Sequence, residues 1–393
     1  MFRALALGAA LLVSTASCGG SSTHTTTVKK KAQKARDKRD LLSQARDDAK
    51  AGDLDAADKE YAEAYAVDKE LEILEERVDF LIHAGRATRA QEAAHAYYDA
   101  NPTDVKGYQL YTEALLAGGK GAEALEIAGQ IIAMNAEDAS GHEQRGRALL
   151  LLERDQNGLE ELRRAVQLEP DNPAFHMSLG SALHKLGEVN EAALEFRAAL
   201  KRAPNEADAH VLLGMALRDQ GELDESKEYL KRALELDKNN ARAYFELGLL
   251  YNRQGKQADA ETALAKAVQL SPNESRFWYA YGEIYRLQER FDEAIQAYRK
   301  AVDIDPPFPK AIGKLGLLLV ERKEYDEAEA VLIQAIRQDK TTAANYLNLG
   351  VVYAARRKNR LAIENYQKFL ELAPKNDPDR GRARGAIQEL KRR

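Results

Sequence analysis

The feature that most constrains this chain is an internal period of 34 residues. From residue 71 to residue 376 the chain divides into nine equal blocks, which begin at Leu71, Val105, Ala139, Pro173, Ala207, Ala241, Ser275, Pro309 and Ala343. A strict period of this length is typical of arrays in which one supersecondary unit is stacked many times. The repeat therefore predicts an extended array of like units rather than several unrelated domains.

Apolar residues within each block follow a helical spacing. Positions 4, 7, 8 and 11 share one face of a first helix, and positions 20, 24 and 27 share one face of a second helix. Glycine is unfavourable inside a helix, yet it recurs at position 8, which predicts close contact with a small residue at position 20. Proline at position 32 of many blocks ends the second helix. Each block is therefore predicted to be a helical hairpin.

These spacings resemble the tetratricopeptide repeat. The block from residue 241 carries the pattern most fully, with Tyr244, Leu247, Gly248, Tyr251, Gly255, Ala260, Leu264, Ala267 and Pro272. The resemblance implies an all-α fold, an α-solenoid in which the hairpins form a right-handed superhelix. It also implies a protein-binding role, although such arrays serve many different partners.

Three segments flank the nine blocks of residues 71–376. Residues 38–70 match the repeat weakly and one residue out of phase, which predicts an irregular N-terminal hairpin. Residues 377–393 begin with a helix-start signal and place Ala383, Ile387 and Leu390 on one face, which predicts a C-terminal capping helix. Residues 18–37 lack apolar periodicity and are expected to be a disordered tether, although their lysines could also contact anionic head groups.

Residues 1–17 have the pattern of a secretory signal peptide: a charged start, a short apolar run and small residues at its end. The end of the segment resembles a bacterial lipoprotein signal, and the resemblance implies that Cys18, the only cysteine, carries palmitate-type acyl chains. The same resemblance implies an outer-membrane anchor with the array facing the periplasm. The alternative is cleavage near Ala16, which would leave Cys18 as an unmodified thiol.

The balance of charge favours protein partners. Lys and Arg number 58, and Asp and Glu number 63, so the chain lacks the basic field that nucleic-acid binding requires. No binding of nucleic acid is expected.

The resemblance also locates a candidate groove, because first helices line the concave face of tetratricopeptide arrays through positions 2, 5, 9, 12 and 13. In the first three blocks these positions are mainly acidic: Glu72, Glu75, Asp79, Glu113 and Glu143. From residue 173 they become apolar with cations around them, and the predicted partner-binding residues are Met177, Val211, Met215, Arg218, Arg242, Phe245, Leu249, Arg253, Arg276, Tyr279, Arg286, Lys310 and Lys314. Such a groove suits a segment with apolar anchors and acidic flanks. The alternative is that some apolar residues pack against second helices and expose little.

No constellation of catalytic residues is evident. His142, His176 and His210 occupy position 4 of three successive blocks, where the repeat favours a large ring, so packing is predicted and metal binding is the alternative. The chain is therefore expected not to be an enzyme and to need no metal or cofactor.

Together these observations predict a lipid-anchored envelope scaffold that assists the assembly of a machine such as a pilus, motility, secretion or polysaccharide-export apparatus. One alternative is a regulator that positions a cell-wall or polysaccharide-synthesis enzyme. The other is an enzyme with an unrecognised site.

Overall fold

The structure, a computed structural model, describes residues 37–392, so the predicted signal peptide and Cys18 lie outside the described residues. Every regular element among the described residues is a helix, which confirms the predicted all-α fold. The chain divides into two compact units, unit 1 ending at Leu168 and unit 2 beginning at Glu169.

The described part of unit 1 consists of four helical hairpins. Its helices are α1 (37–51), α2 (Leu54–Asp68), α3 (Leu71–His83), α4 (Ala87–Ala100), α5 (Val105–Ala117), α6 (Gly121–Met134), α7 (Ala139–Leu151) and α8 (Asp155–Leu168).

Unit 2 consists of six hairpins and a final helix. Its helices are α9 (Pro173–Lys185), α10 (Val189–Arg202), α11 (Ala207–Gln220), α12 (Leu223–Leu236), α13 (Ala241–Arg253), α14 (Gln257–Leu270), α15 (Ser275–Leu287), α16 (Phe291–Ile304), α17 (Pro309–Glu321), α18 (Tyr325–Gln338), α19 (Ala343–Ala355), α20 (Asn359–Leu372) and α21 (Asp379–Arg392).

Capping residues explain where several first helices begin. Asp138 precedes α7, and its side chain accepts a hydrogen bond from the backbone N–H of Gly141 at 2.7 Å. Asn240 precedes α13, and its side chain accepts a hydrogen bond from the backbone N–H of Ala243 at 2.9 Å. Such side chains satisfy an N–H group that the first turn of a helix leaves unpaired. A short polar residue just before several of the 34-residue boundaries therefore helps to keep the repeat in register.

The position-8 glycines let the two helices of a hairpin approach closely. The small residue predicted at position 20 lies beside the glycine. In the hairpin that contains Gly214 this residue is Ser226, whose hydroxyl donates a hydrogen bond to the carbonyl of Gly214 at 2.6 Å. A large residue at position 24 comes equally close: a Cβ on Gly248 would lie 2.5 Å from Leu264, and one on Gly282 would lie 2.7 Å from the ring of Tyr298. The space that each glycine leaves is therefore filled by the side chain at position 24, which spacing alone did not identify.

Within each unit, the second helix of a hairpin packs against the first helix of the next hairpin. First helices also contact one another, as in α3 with α5 and α5 with α7 in unit 1, and α11 with α13 and α13 with α15 in unit 2. We call the surface that these helices share the first-helix face of each unit.

The final helix covers the last hairpin of unit 2. Ala383, Ile387 and Leu390 are buried and join the core cluster that contains Tyr366 and Phe369. None of the described helices has both the length and the apolar character that a bilayer span requires.

Candidate binding surface

In many hairpins a polar side chain at position 4 forms a hydrogen bond to the turn that precedes the hairpin. In each case the side chain bonds to the carbonyl six residues earlier, over 2.8 to 3.3 Å, and the pairs are Tyr108 with Pro102, His142 with Ala136, His176 with Pro170, His210 with Pro204, Trp278 with Pro272, and Tyr346 with Lys340. The ring packs inside the hairpin while its polar atom satisfies a turn carbonyl.

The three histidines follow this structural pattern. Nδ1 of His142 lies 2.6 Å from Glu161, and Nδ1 of His176 lies 2.6 Å from Glu195, while the ring of His210 lies against that of Tyr229 with centroids 5.7 Å apart. Within residues 37–392 no group of three or more His, Cys, Asp or Glu side chains is arranged to hold a metal ion. The geometry assigns these histidines to packing and hydrogen bonding.

The first-helix face of unit 1 is held together by polar contacts between hairpins. The guanidinium of Arg147 donates two hydrogen bonds to Glu113, at 2.8 and 2.9 Å, and a longer one to Glu143 at 3.4 Å. The Gln144 amide donates to the backbone carbonyl of Gln109 at 2.8 Å. The prediction of a simple acidic surface here was incomplete, because Arg147 neutralises charge on the two carboxylates that lie nearest to it.

The first-helix face of unit 2 has a different character. The four successive first helices α9, α11, α13 and α15 each carry a half-buried apolar side chain at position 5 or position 9. These side chains are Met177, Met215, Phe245, Leu249 and Tyr279. The Phe245 ring stacks on Phe277 with centroids 4.6 Å apart, and Tyr279 lies 5.2 Å from the ring of Phe308. These contacts fix the rings in position while part of each side chain stays open to solvent.

The prediction was wrong for Val211. Its side chain is fully buried and packs in a core cluster with Leu230, Ala233 and Leu247. A partner therefore cannot reach Val211 on the folded surface. Valine is too short to extend from this position to the face that Phe245 and Tyr279 reach.

Three of the seven predicted cations are partly buried and are paired with carboxylates inside unit 2. Arg218 contacts both Glu246 and Asp219, and only 12% of its side chain is exposed. Arg286 donates to Glu283 at 3.0 Å, and the Lys314 ammonium lies 3.6 Å from the same carboxylate. Arg218 is thus a largely buried structural cation, which corrects its assignment to the edge of the groove.

Glu283 is a polar residue in the apolar row, since it occupies position 9 of its block. The buried Tyr298 hydroxyl donates to it, in addition to Arg286. Burial acts to raise the pKa of Glu283, but the hydrogen bonds from Arg286 and Tyr298 outweigh it and hold that pKa below the ordinary value. Two cations and one carboxylate therefore leave this part of the face with a net positive charge.

The remaining predicted cations are exposed. Arg242, Arg276 and Lys310 stand at position 2 of three successive blocks, and Arg253 stands at position 13. Arg276 forms an ion pair with Glu274, at 3.7 Å, in which both side chains are well exposed. Arg253 donates to the backbone carbonyl of Arg218 at 2.5 Å, and Nη2 of Arg242 lies 3.9 Å from the sulfur of Met215.

Two family models match the chain. The tetratricopeptide repeat model matches residues 113–173, 156–207 and 211–275. A model described as the TPR domain of cytochrome c-type biogenesis protein H matches residues 261–380. No curated protein matches the chain.

Similar folds occur among solved structures. The Cut9–Hcn1 hetero-tetramer of the APC/C matches with a TM-score of 0.60 and 17% identity over 76% of this chain, which spans 59% of that relative's length. The human IFIT1 dimer with m7Gppp-AAAA matches with a TM-score of 0.54 and 17% identity, covering 84% of this chain and 89% of that chain. PilF from Pseudomonas aeruginosa has a TM-score of 0.48 and 22% identity, covering 60% and 99%. At these identities the likeness concerns the fold, and the Cut9–Hcn1 and IFIT1 matches confirm the predicted α-solenoid class.

Proposed function

We propose that the first-helix face of unit 2, which lies in the part of the chain that matches tetratricopeptide models, binds a protein segment. The protein acts as a scaffold without catalytic activity of its own. It is anchored by lipid at Cys18 to a bacterial membrane, in the outer membrane facing the periplasm, and it assists the assembly of an envelope machine.

The observation that carries this proposal is the row of half-buried apolar residues on four successive first helices. Met215, Phe245, Leu249 and Tyr279 pack on one side and meet solvent on the other. A row of partly exposed apolar side chains beside exposed polar ones is typical of a protein-binding site. The exposed cations at position 2 favour a partner that also offers acidic side chains.

The anchor and the location are supported by the N-terminal sequence. A charged start, an apolar run and small residues precede Cys18, and the sequence Gly-Gly-Ser-Ser follows it. More than one acyl chain is needed for stable membrane attachment, and lipoprotein modification supplies several. An assembly role is supported by the match of residues 261–380 to a domain that is named for a biogenesis protein.

The binding role is tested by crosslinking in the native host, followed by mass spectrometry of the adducts. Leu249→Asp and Leu317→Asp place charge on half-buried positions of the first-helix face. We expect both variants to lose the adducts of the native protein. The matched control is Leu194→Asp on the second helix α10, where the side chain is 62% exposed, and its adducts should be unchanged. Loss with Leu194→Asp but not with Leu249→Asp would contradict the proposal.

The anchor is tested separately with Cys18→Ser. The proposal expects incorporation of labelled palmitate by the native chain, with none by the variant, and release of the variant from the membrane fraction. Equal labelling of the two proteins would contradict lipid attachment at Cys18.

A further inference from the structure

An open cleft lies in the hairpin of α13 and α14, and none of the residues that line it belongs to the predicted partner-binding set. The cleft has a volume of about 780 Å³. Its floor is formed by Tyr244, Leu247 and Tyr251 on α13, at positions 4, 7 and 11 of the block, and both tyrosine rings are half-buried. A concave site of this size, with aromatic side chains and a few polar groups, is typical of a binding site for a small ligand.

A small residue at position 23 leaves the cleft open. In the three preceding hairpins a larger side chain at position 23 contacts the ring at position 4, and the pairs are Glu161 with His142, Glu195 with His176, and Tyr229 with His210. In the hairpin of α13 and α14 the residue at position 23 is Ala263, which is too short to cover the ring of Tyr244. The ring is therefore open to a molecule from outside the chain.

Polar groups border the cleft along α14. Four polar side chains share one face of this helix, because three or four residues separate each from the next. They are Asp259, Thr262, Lys266 and Gln269. One is a carboxylate, one is an ammonium and two are neutral, so the border offers both donors and acceptors. The Tyr244 hydroxyl adds another polar group, since it forms no hydrogen bond within the described chain, whereas other tyrosines at position 4 bond to a turn carbonyl.

Contacts within unit 2 hold the two rings in place. The ammonium of Lys227, on α12, lies 5.7 Å from the centroid of the Tyr251 ring, which is within the range of a cation–π contact. Tyr244 packs against the core cluster that contains Ala267 and Phe277. The floor of the cleft is therefore formed before a ligand arrives, and binding does not have to order these side chains.

This combination of groups fits a sugar. A sugar ring presents C–H groups that pack on aromatic rings, and its hydroxyls both donate and accept hydrogen bonds. An apolar ligand would take water from the polar border without replacing its hydrogen bonds. The border from Asp259 to Gln269 is about 15 Å long at 1.5 Å per residue, which is longer than one sugar ring. The length therefore favours several linked sugars.

We propose that this cleft binds a neutral oligosaccharide, with sugar rings packed on Tyr244 and Tyr251 and hydroxyls bonded to the polar border of α14. The inference goes beyond the proposed function, because the cleft is separate from the surface that is proposed to bind a protein segment. A chain with both sites holds a glycan and a protein partner at the same time.

Saturation-transfer difference NMR tests the site on the purified full chain, in a detergent without sugar groups. The probes are maltohexaose and chitohexaose, together with N-acetyltyrosinamide as a mimic of an aromatic side chain. We expect transfer to at least one hexasaccharide. Ala263→Tyr installs the residue that the preceding hairpin carries at position 23, and it should abolish the transfer by filling the cleft. The control is Leu194→Tyr on α10, at a side chain that is 62% exposed, and it should retain the native signal.

Tyr251→Leu provides a second variant that is expected to fold, because leucine occupies position 11 in several other blocks: Leu149, Leu183 and Leu217. Loss of one ring contact should raise the dissociation constant of the hexasaccharide about fivefold. Equal transfer to the native chain and to Ala263→Tyr would overturn the site. Transfer to N-acetyltyrosinamide alone would overturn the sugar assignment in favour of a protein side chain, and no transfer to any probe would also overturn the proposal.

Discussion

The first-helix faces of the two units use the same repeat in opposite ways. At position 9, unit 1 carries Glu113 and Arg147, which bond to each other across neighbouring hairpins. At the same position, unit 2 carries Met215 and Leu249, which remain half-buried. Polar side chains that hydrogen-bond to one another join neighbouring hairpins, whereas partly exposed apolar side chains remain available to a partner. The backbone repeat therefore fixes the scaffold, and a few side chains decide whether a face serves cohesion or recognition.

The largest effect that we expect comes from removing the central cation of unit 1. Arg147→Ala leaves Glu143, which is only 7% exposed, without that partner, and should lower the free energy of unfolding by about 2 kcal/mol. Arg276→Ala, which removes a cation of the same type from unit 2, should change it by less than about 0.5 kcal/mol. Urea unfolding of the two variants measures both changes in the free energy of unfolding. Equal losses of stability in the two variants would contradict the proposed difference between the faces.

The position-4 hydrogen bonds should give an intermediate effect. His142→Phe in unit 1 removes the bonds to Ala136 and Glu161, while Trp278→Phe in unit 2 removes one bond to Pro272. Each variant keeps an aromatic ring, so the loss should be about 0.5 kcal/mol for each hydrogen bond removed. Thermal unfolding would contradict this account if His142→Phe were as stable as the native chain.

A smaller effect is expected from the pH dependence at Glu283. Its pKa is lower in the folded chain than the ordinary value of 4.5, so the unfolded chain binds this proton at a higher pH than the folded chain. The stabilisation is complete above pH 4.5 and is lost as the pH falls through the folded value. Glu283→Gln should therefore reduce the loss of stability between pH 6 and pH 3. An unchanged profile of unfolding free energy against pH would show that the contacts to Glu283 contribute nothing.

The smallest change in stability is expected from Lys310→Ala, because the side chain is exposed at position 2 of its block. The unfolding free energy should stay within about 0.5 kcal/mol of the native value. Affinity for a labelled synthetic peptide with acidic side chains should nevertheless fall about twofold to threefold, because one exposed ion pair is lost. Anisotropy and urea unfolding on the same preparation separate the two effects, and a loss of stability without a loss of affinity would contradict the assignment.

The sequence predicted the helical hairpins because the 34-residue period and the 3.6-residue spacing are both local patterns. It placed Val211 in the groove because spacing gives the direction of a side chain and not how far the side chain reaches. It also missed the pair of Glu113 and Arg147, although the signal was present: equivalent positions of adjacent blocks are neighbours, and these two carry opposite charges. The position-4 bonds to turn carbonyls depend on the path of each turn, which composition and periodicity do not specify.

The most direct test of the central claim is photocrosslinking from position 9 of both units in the native host. A photoreactive amino acid is placed at Glu113 in unit 1 and, in a second protein, at Leu249 in unit 2. The account predicts adducts with a partner protein from position 249 and only background from position 113. Adducts from position 113 with none from position 249 would contradict it.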